Sequence, residues 1–81
     1  MQLDVRLFAR ARDLAGADTV SVELADGATV SDLKTALASQ HPALSPIVAH
    51  LHVAIGTDYA ADATVLDASS QVTCFPPVSG G

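Results

Sequence analysis

Eighty-one residues form one domain, and a chain this short hides only about 60% of its unfolded surface, which excludes a deep catalytic cavity. A composition of 49% hydrophobic and 16% charged residues excludes a disordered chain. The formal net charge of −5 argues against nucleic acid as a partner and suits a basic protein surface.

The first strand is predicted from Leu3, Val5 and Leu7, which alternate with Gln2, Asp4 and Arg6 in the period-2 pattern of a half-buried strand. Residues 9–14 read as a loop or short helical turn closed by Gly16. Val20, Val22 and Leu24 alternate with Thr19, Ser21 and Glu23, a second strand in hairpin relation to the first. Asp26-Gly27 is a turn signal, and Thr29-Val30-Ser31-Asp32 has the spacing of a capping box. Val30, Leu33, Ala36 and Leu37 mark one stripe of a helix that Pro42 ends. Residues 43–48 read as an irregular connection. A third strand is expected where Leu51, Val53 and Ile55 alternate with His50, His52 and Ala54, followed by a turn at Gly56-Thr57-Asp58. Residues 60–66 wander, and residues 71–75 form the last strand, with Val72 and Cys74 facing one way. The predicted order is β-β-α-β-β. One helix across one face of a mixed sheet fits an α+β, ubiquitin-like β-grasp arrangement.

The chain closes on Phe75-Pro76-Pro77-Val78-Ser79-Gly80-Gly81. The prolines lack N–H donors, so they end a strand and hold the next residues extended. Gly80 and Gly81 lack a Cβ, so the tip passes through a channel too narrow for other residues. Four residues beyond Pro77 reach about 13 Å at full extension. The chain therefore divides into a β-grasp domain over 1–75 and an extended tail over 76–81 suited to enter another protein's active site. A frayed terminus is the plain alternative.

Strand alternation also sets the faces of the two phenylalanines. If Leu7 and Cys74 face the helix, Phe8 and Phe75 face away, onto an open sheet face near the tail, where exposed aromatic surface forms a docking patch. Packing of both rings under loops is the alternative. Arg12 is a candidate rim contact. Cys74, the single cysteine, permits no internal disulfide and fits a reducing compartment; its alternating position favours a buried structural thiol over a persulfide site. His50 and His52 are expected on one strand face, but two imidazoles fall short of a zinc site, so no metal is expected. The sequence shows no signal peptide and no apolar run of the ~20 residues that span a bilayer, so a cytoplasmic location without a membrane partner is expected. No nucleophile–base pattern or phosphate-binding loop stands out, so the chain is not expected to act as an enzyme by itself.

From its first strand to its last residue, the chain resembles the small sulfur-carrier subunit of molybdopterin synthase (the MoaD/ThiS group). The resemblance is carried by Leu7-Phe8-Ala9-Arg10-Ala11-Arg12-Asp13-Leu14-Ala15-Gly16, by Gly27-Ala28-Thr29-Val30, by His41-Pro42-Ala43-Leu44, by Val53-Ala54-Ile55 and, most specifically, by the closing seven residues. It departs from the family pattern at Gly56-Thr57 and at Ala68-Ser69-Ser70, both turn positions. The resemblance implies a sulfur carrier for the molybdenum cofactor, with Gly81 adenylated and converted to a thiocarboxylate. The sulfur would pass to a cyclic pyranopterin monophosphate inside a large catalytic subunit, in a heterotetramer. It implies an E1-like adenylating and sulfurating enzyme as second partner, with ATP consumed there and no cofactor held by the carrier. Phe8, Arg12, Phe75, Pro76, Pro77, Val78 and Ser79 become expected partner contacts, and Gly80 and Gly81 the reactive tip. A ubiquitin-like protein modifier, a thiamin-type sulfur carrier and a simple interaction module share parts of this pattern.

Overall fold

A computed structural model describes residues 1–77 of the chain. Strand β1 spans Gln2–Leu7, helix α1 Arg10–Ala15, β2 Thr19–Glu23 and α2 Val30–Gln40. A 3₁₀ turn over Pro42–Leu44 leads into α3, Ser45–Val48, and strands β3, His52–Ile55, β4, Asp58–Tyr59, and β5, Val72–Phe75, complete the order. The five strands form one mixed sheet in the order β2-β1-β5-β3-β4. β1 and β5 run parallel at its centre, with Leu7 beside Cys74, and the other pairs are antiparallel. This is the ubiquitin-like β-grasp.

One face of the sheet is closed by α2. Leu3, Val5 and Leu7 of β1, Val20 and Val22 of β2, Val53 of β3, and Val72 and Cys74 of β5 all point inward against Leu33 and Leu37, and each is buried. Burying a Leu or Val side chain of this kind contributes on the order of 1.5–3 kcal/mol as an upper figure. No polar or charged residue is buried among the described residues.

Local chemistry starts and stops α2 where the sheet needs it. The Thr29 hydroxyl accepts from the Asp32 amide at 3.3 Å and Asp32 Oδ2 accepts from the Thr29 amide at 2.9 Å, the reciprocal capping box. The next free amides, of Val30 and Ser31, donate to the carbonyl oxygens of Thr64 and Asp62, both at 3.0 Å. Residues 60–66 are thus strapped across the start of α2, tied also by the Thr29–Val65 bridge.

Several expectations are corrected. Residues 43–48 form a 3₁₀ turn and the helical turn α3 instead of an irregular connection, because Pro42 and Pro46 each stand in the first turn of an element, where a missing N–H costs nothing. A fifth strand, β4, follows a two-residue turn whose Gly56 has φ of 62°, with Ile55 opposite Asp58. His50 is not in β3: its amide donates to the Ile47 carbonyl oxygen as the chain leaves α3, so it does not share a strand face with His52.

Candidate functional site: the tail root and the aromatic sheet face

β5 carries the chain toward its C-terminus from the middle of the sheet, held by β1 on one side and β3 on the other. The last ladder contact beyond β1 is the Phe8 amide donating to the Cys74 carbonyl oxygen at 3.3 Å. Pro76 and Pro77, half-buried and exposed, then end the ladder because neither has an N–H to give. Val78, Ser79, Gly80 and Gly81 lie outside the described residues.

Around this root the open face of the sheet is aromatic. Phe75 pairs with His52 across the strands, with ring centroids 5.6 Å apart, and lies 5.7 Å from the Tyr59 ring. His52 and Tyr59 stack at 6.2 Å with 17° between their planes. Tyr59 is 80% exposed although it joins this cluster, so a large apolar surface faces outward beside the tail. Beyond β1, Phe8 is 44% exposed, with the Arg6 guanidinium 5.6 Å from its ring centroid, a cation–π arrangement. Phe8 and Phe75 are therefore both on the open face. Arg12 is exposed on α1, the helix that follows Phe8.

The turn that presents Phe8 is strained. Ala9 takes φ 54° and ψ −129°, a backbone region open to glycine and costly for a residue with a Cβ. The Ala9 carbonyl oxygen nonetheless accepts from the Asp13 amide and starts α1.

Cys74 is fully buried under the sheet, and burial pushes its thiol up to about 12, against a weak opposing pull from Lys34. A thiol held protonated in that way has no nucleophilic thiolate near neutral pH, so Cys74 is a packing residue. Among the described residues no group of three or more His, Cys, Asp or Glu stands where it could hold a metal ion. No helix among them is long and apolar enough to cross a membrane.

Sequence reasoning missed Tyr59 and the part His52 plays beside it. Alternation had set His52 outward, but Tyr59 lies on a strand of two residues, too short for any periodic signal. The available sign was Gly56-Thr57 as a two-residue hairpin turn, which places Tyr59 opposite Ala54 on the His52 face.

The mixed five-stranded sheet closed on one face by α2 places the chain in the class of small ubiquitin-like β-grasp proteins. Residues 5–81 match the ThiS family, and the chain belongs to it. It is 35% identical to the molybdopterin synthase sulfur carrier subunit of Chlamydomonas reinhardtii, with all of both chains covered. It is 36% identical to small archaeal modifier protein 1 of Haloferax volcanii, over 98% of this chain and all of that protein. A crystal structure of SAMP1 from Haloferax volcanii superposes with a TM-score of 0.85 at 35% identity, covering all of both chains.

Proposed function

We propose that the chain is the sulfur carrier of a molybdopterin synthase, acting as the small subunit that delivers sulfur and leaving the catalytic groups to a large subunit. The whole-length likeness to the algal sulfur carrier supports this reading. The position of Phe75-Pro76-Pro77 at the end of a central strand supports it further, since a rigid root is what a delivering tail requires.

The chemistry follows from the carboxylate of Gly81. A carboxylate is a poor electrophile because its leaving group is an oxide. An E1-like enzyme removes that obstacle by spending ATP to form an acyl-adenylate and pyrophosphate. The outer sulfur of a persulfide displaces AMP to give an acyl disulfide. A second thiol then cleaves its S–S bond, forming a disulfide with the donor sulfur and releasing the tail as a thiocarboxylate, an anionic sulfur nucleophile at neutral pH. With Gly80 and Gly81 threaded into the large subunit, that sulfur reaches a cyclic pyranopterin monophosphate. The open face bearing Tyr59, Phe75 and Phe8 is the docking surface, and Arg12 adds a contact at its rim.

Intact mass after incubation with the activating enzyme, ATP and a sulfur donor tests the proposal. The expected gain is that of sulfur replacing one oxygen, reduced in Gly81→Ala and absent when Gly81 is deleted. Full loading of a chain ending at Gly80 would sink the mechanism. The likeness to small archaeal modifier protein 1 favours a second reading, in which the activated Gly81 acylates lysines of other proteins. High-mass adducts of the chain in a cell lysate, lost with Gly81, would put that reading first.

A further inference from the structure

Lys34 is the only lysine in the chain, and the fold does not leave it free. It stands on α2 with its side chain 22% exposed, and its Nζ donates to Asp62 Oδ1 at 3.1 Å. The carboxylate is brought there by the backbone. The Asp62 carbonyl oxygen accepts from the Ser31 amide, and the Thr64 carbonyl oxygen accepts from the Val30 amide one residue earlier. Ser31 precedes Lys34 by three positions, so Asp62 holds one helix face by its main chain and its side chain together. A partner fixed in this way loses less rotamer freedom on pairing than two long side chains meeting in solvent. The Met1 ammonium is tied similarly, to the Leu24 carbonyl oxygen and, at 3.8 Å, to Asp26.

We propose that the Lys34–Asp62 pair guards the chain against self-acylation, keeping its one side-chain amine from an activated Gly81 of its own or of a second copy. This rests on the carrier reading, since the threat exists only once Gly81 is an acyl-adenylate. In the reaction withheld, a neutral ε-amine attacks the Gly81 carbonyl carbon. The C–N bond forms, the C–O bond to AMP breaks with its electron pair leaving on AMP, and the amine proton passes to solvent. The attack needs an amine swung clear of its carboxylate and stripped of its extra proton. The pair opposes the first step by geometry, because Nζ is held against Asp62 Oδ1. The guard lowers Lys34 reactivity about 2–5-fold, the range of a surface ion pair converted at RT. Together with the absence of any other lysine, it slows the self-coupling of a repeatedly activated carrier.

Three proteins test this: the wild type, Asp62→Asn and Lys34→Arg, each checked for fold by circular dichroism. In the first arm the native proteins are acetylated with the N-hydroxysuccinimide ester of acetic acid and the Lys34 peptide is followed by mass. Asp62→Asn is expected to react about 2–5-fold faster than wild type, and equal rates overturn the guard. In the second arm the activating enzyme and ATP are added. A covalent Gly81–Lys34 dimer is expected to form about 2–5-fold faster with Asp62→Asn than with wild type and not with Lys34→Arg; wild-type dimers at the Asp62→Asn level overturn the guard. Failure of all three chains to be adenylated overturns the carrier reading instead, and the acetylation arm, which does not use the tail, still decides the ion pair's effect. Should Asp62→Asn unfold, wild type in rising sodium chloride replaces it, because salt screens the pair. A Lys34 rate that fails to rise relative to a free lysine peptide then overturns the proposal.

Discussion

The side-chain amide of Gln40 lies against the backbone of Glu23 as a neighbouring strand would. Its Nε2 donates to the Glu23 carbonyl oxygen and its Oε1 accepts from the Glu23 amide, both at 2.9 Å. Glu23 belongs to β2, an edge of the sheet, and the ring of the next residue, His41, meets the Ser21 carbonyl oxygen of the same strand at 2.8 Å. Unpaired strand edges are templates for association with another chain, and the end of α2 covers this one. Gln40→Ala removes two partly solvated hydrogen bonds and is expected to cost about 1–2 kcal/mol in urea unfolding. It is also expected to raise self-association in sedimentation, whereas a monomer at every concentration would show that the plug has no protective role.

Ala9→Gly is expected to stabilise the domain. The strain at φ 54° is on the order of 1–3 kcal/mol, while glycine adds unfolded-state entropy of about 0.4–1 kcal/mol, so relief wins by about 1 kcal/mol. For a domain of this size that raises the thermal midpoint by about 4–8 °C, readable by calorimetry.

Tyr59→Ser separates docking from stability. The ring is already 80% exposed, so the thermal midpoint is expected to stay near that of wild type. Titration calorimetry against the large subunit is expected to show binding weaker by about 1–2 kcal/mol, the loss typical of an aromatic anchor in an interface. Phe8→Ser is expected to behave in the same direction. Unchanged affinity in both would move the docking surface off this face.

Alkaline pH is expected to weaken the fold through Cys74. Its thiol is raised in the folded state from an ordinary 9.0 to about 12, so below pH 9 both states keep the proton and stability does not depend on it. Between those values the unfolded chain loses the proton and the folded chain retains it. Stability then falls by at most about 1.4 kcal/mol per pH unit. Urea unfolding of wild type and Cys74→Ala in reductant at pH 8 and pH 10.5 measures it, and the variant is expected to show the shallower decline.

The faces of β1 and β2 were legible because one side of each strand is buried, which forces strict alternation at Leu3, Val5, Leu7 and at Val20, Val22. The start of α2 was legible because a capping box is local chemistry between Thr29 and Asp32. β4 was not, since two residues define no period. α3 was hidden because its four residues are too few to show one and Pro42 read only as the end of the preceding helix, whereas Pro42 and Pro46 each stand in the first turn of a new element. His50 was assigned to a strand by extending the alternation of β3 back past its first residue, into the turn that closes α3.

By itself the sequence determined what is written in adjacent residues: the alternating strands, the capped helix and the inward thiol. Only the tertiary structure decided that Tyr59 joins His52 and Phe75 beside the tail, that Gln40 closes the β2 edge at Glu23, and that Asp62 meets Lys34. Each of these pairs residues far apart in the chain or on elements too short to show a period. Their meeting is set by how the sheet, the helix and the 60–66 strap pack, a quantity that no local pattern encodes.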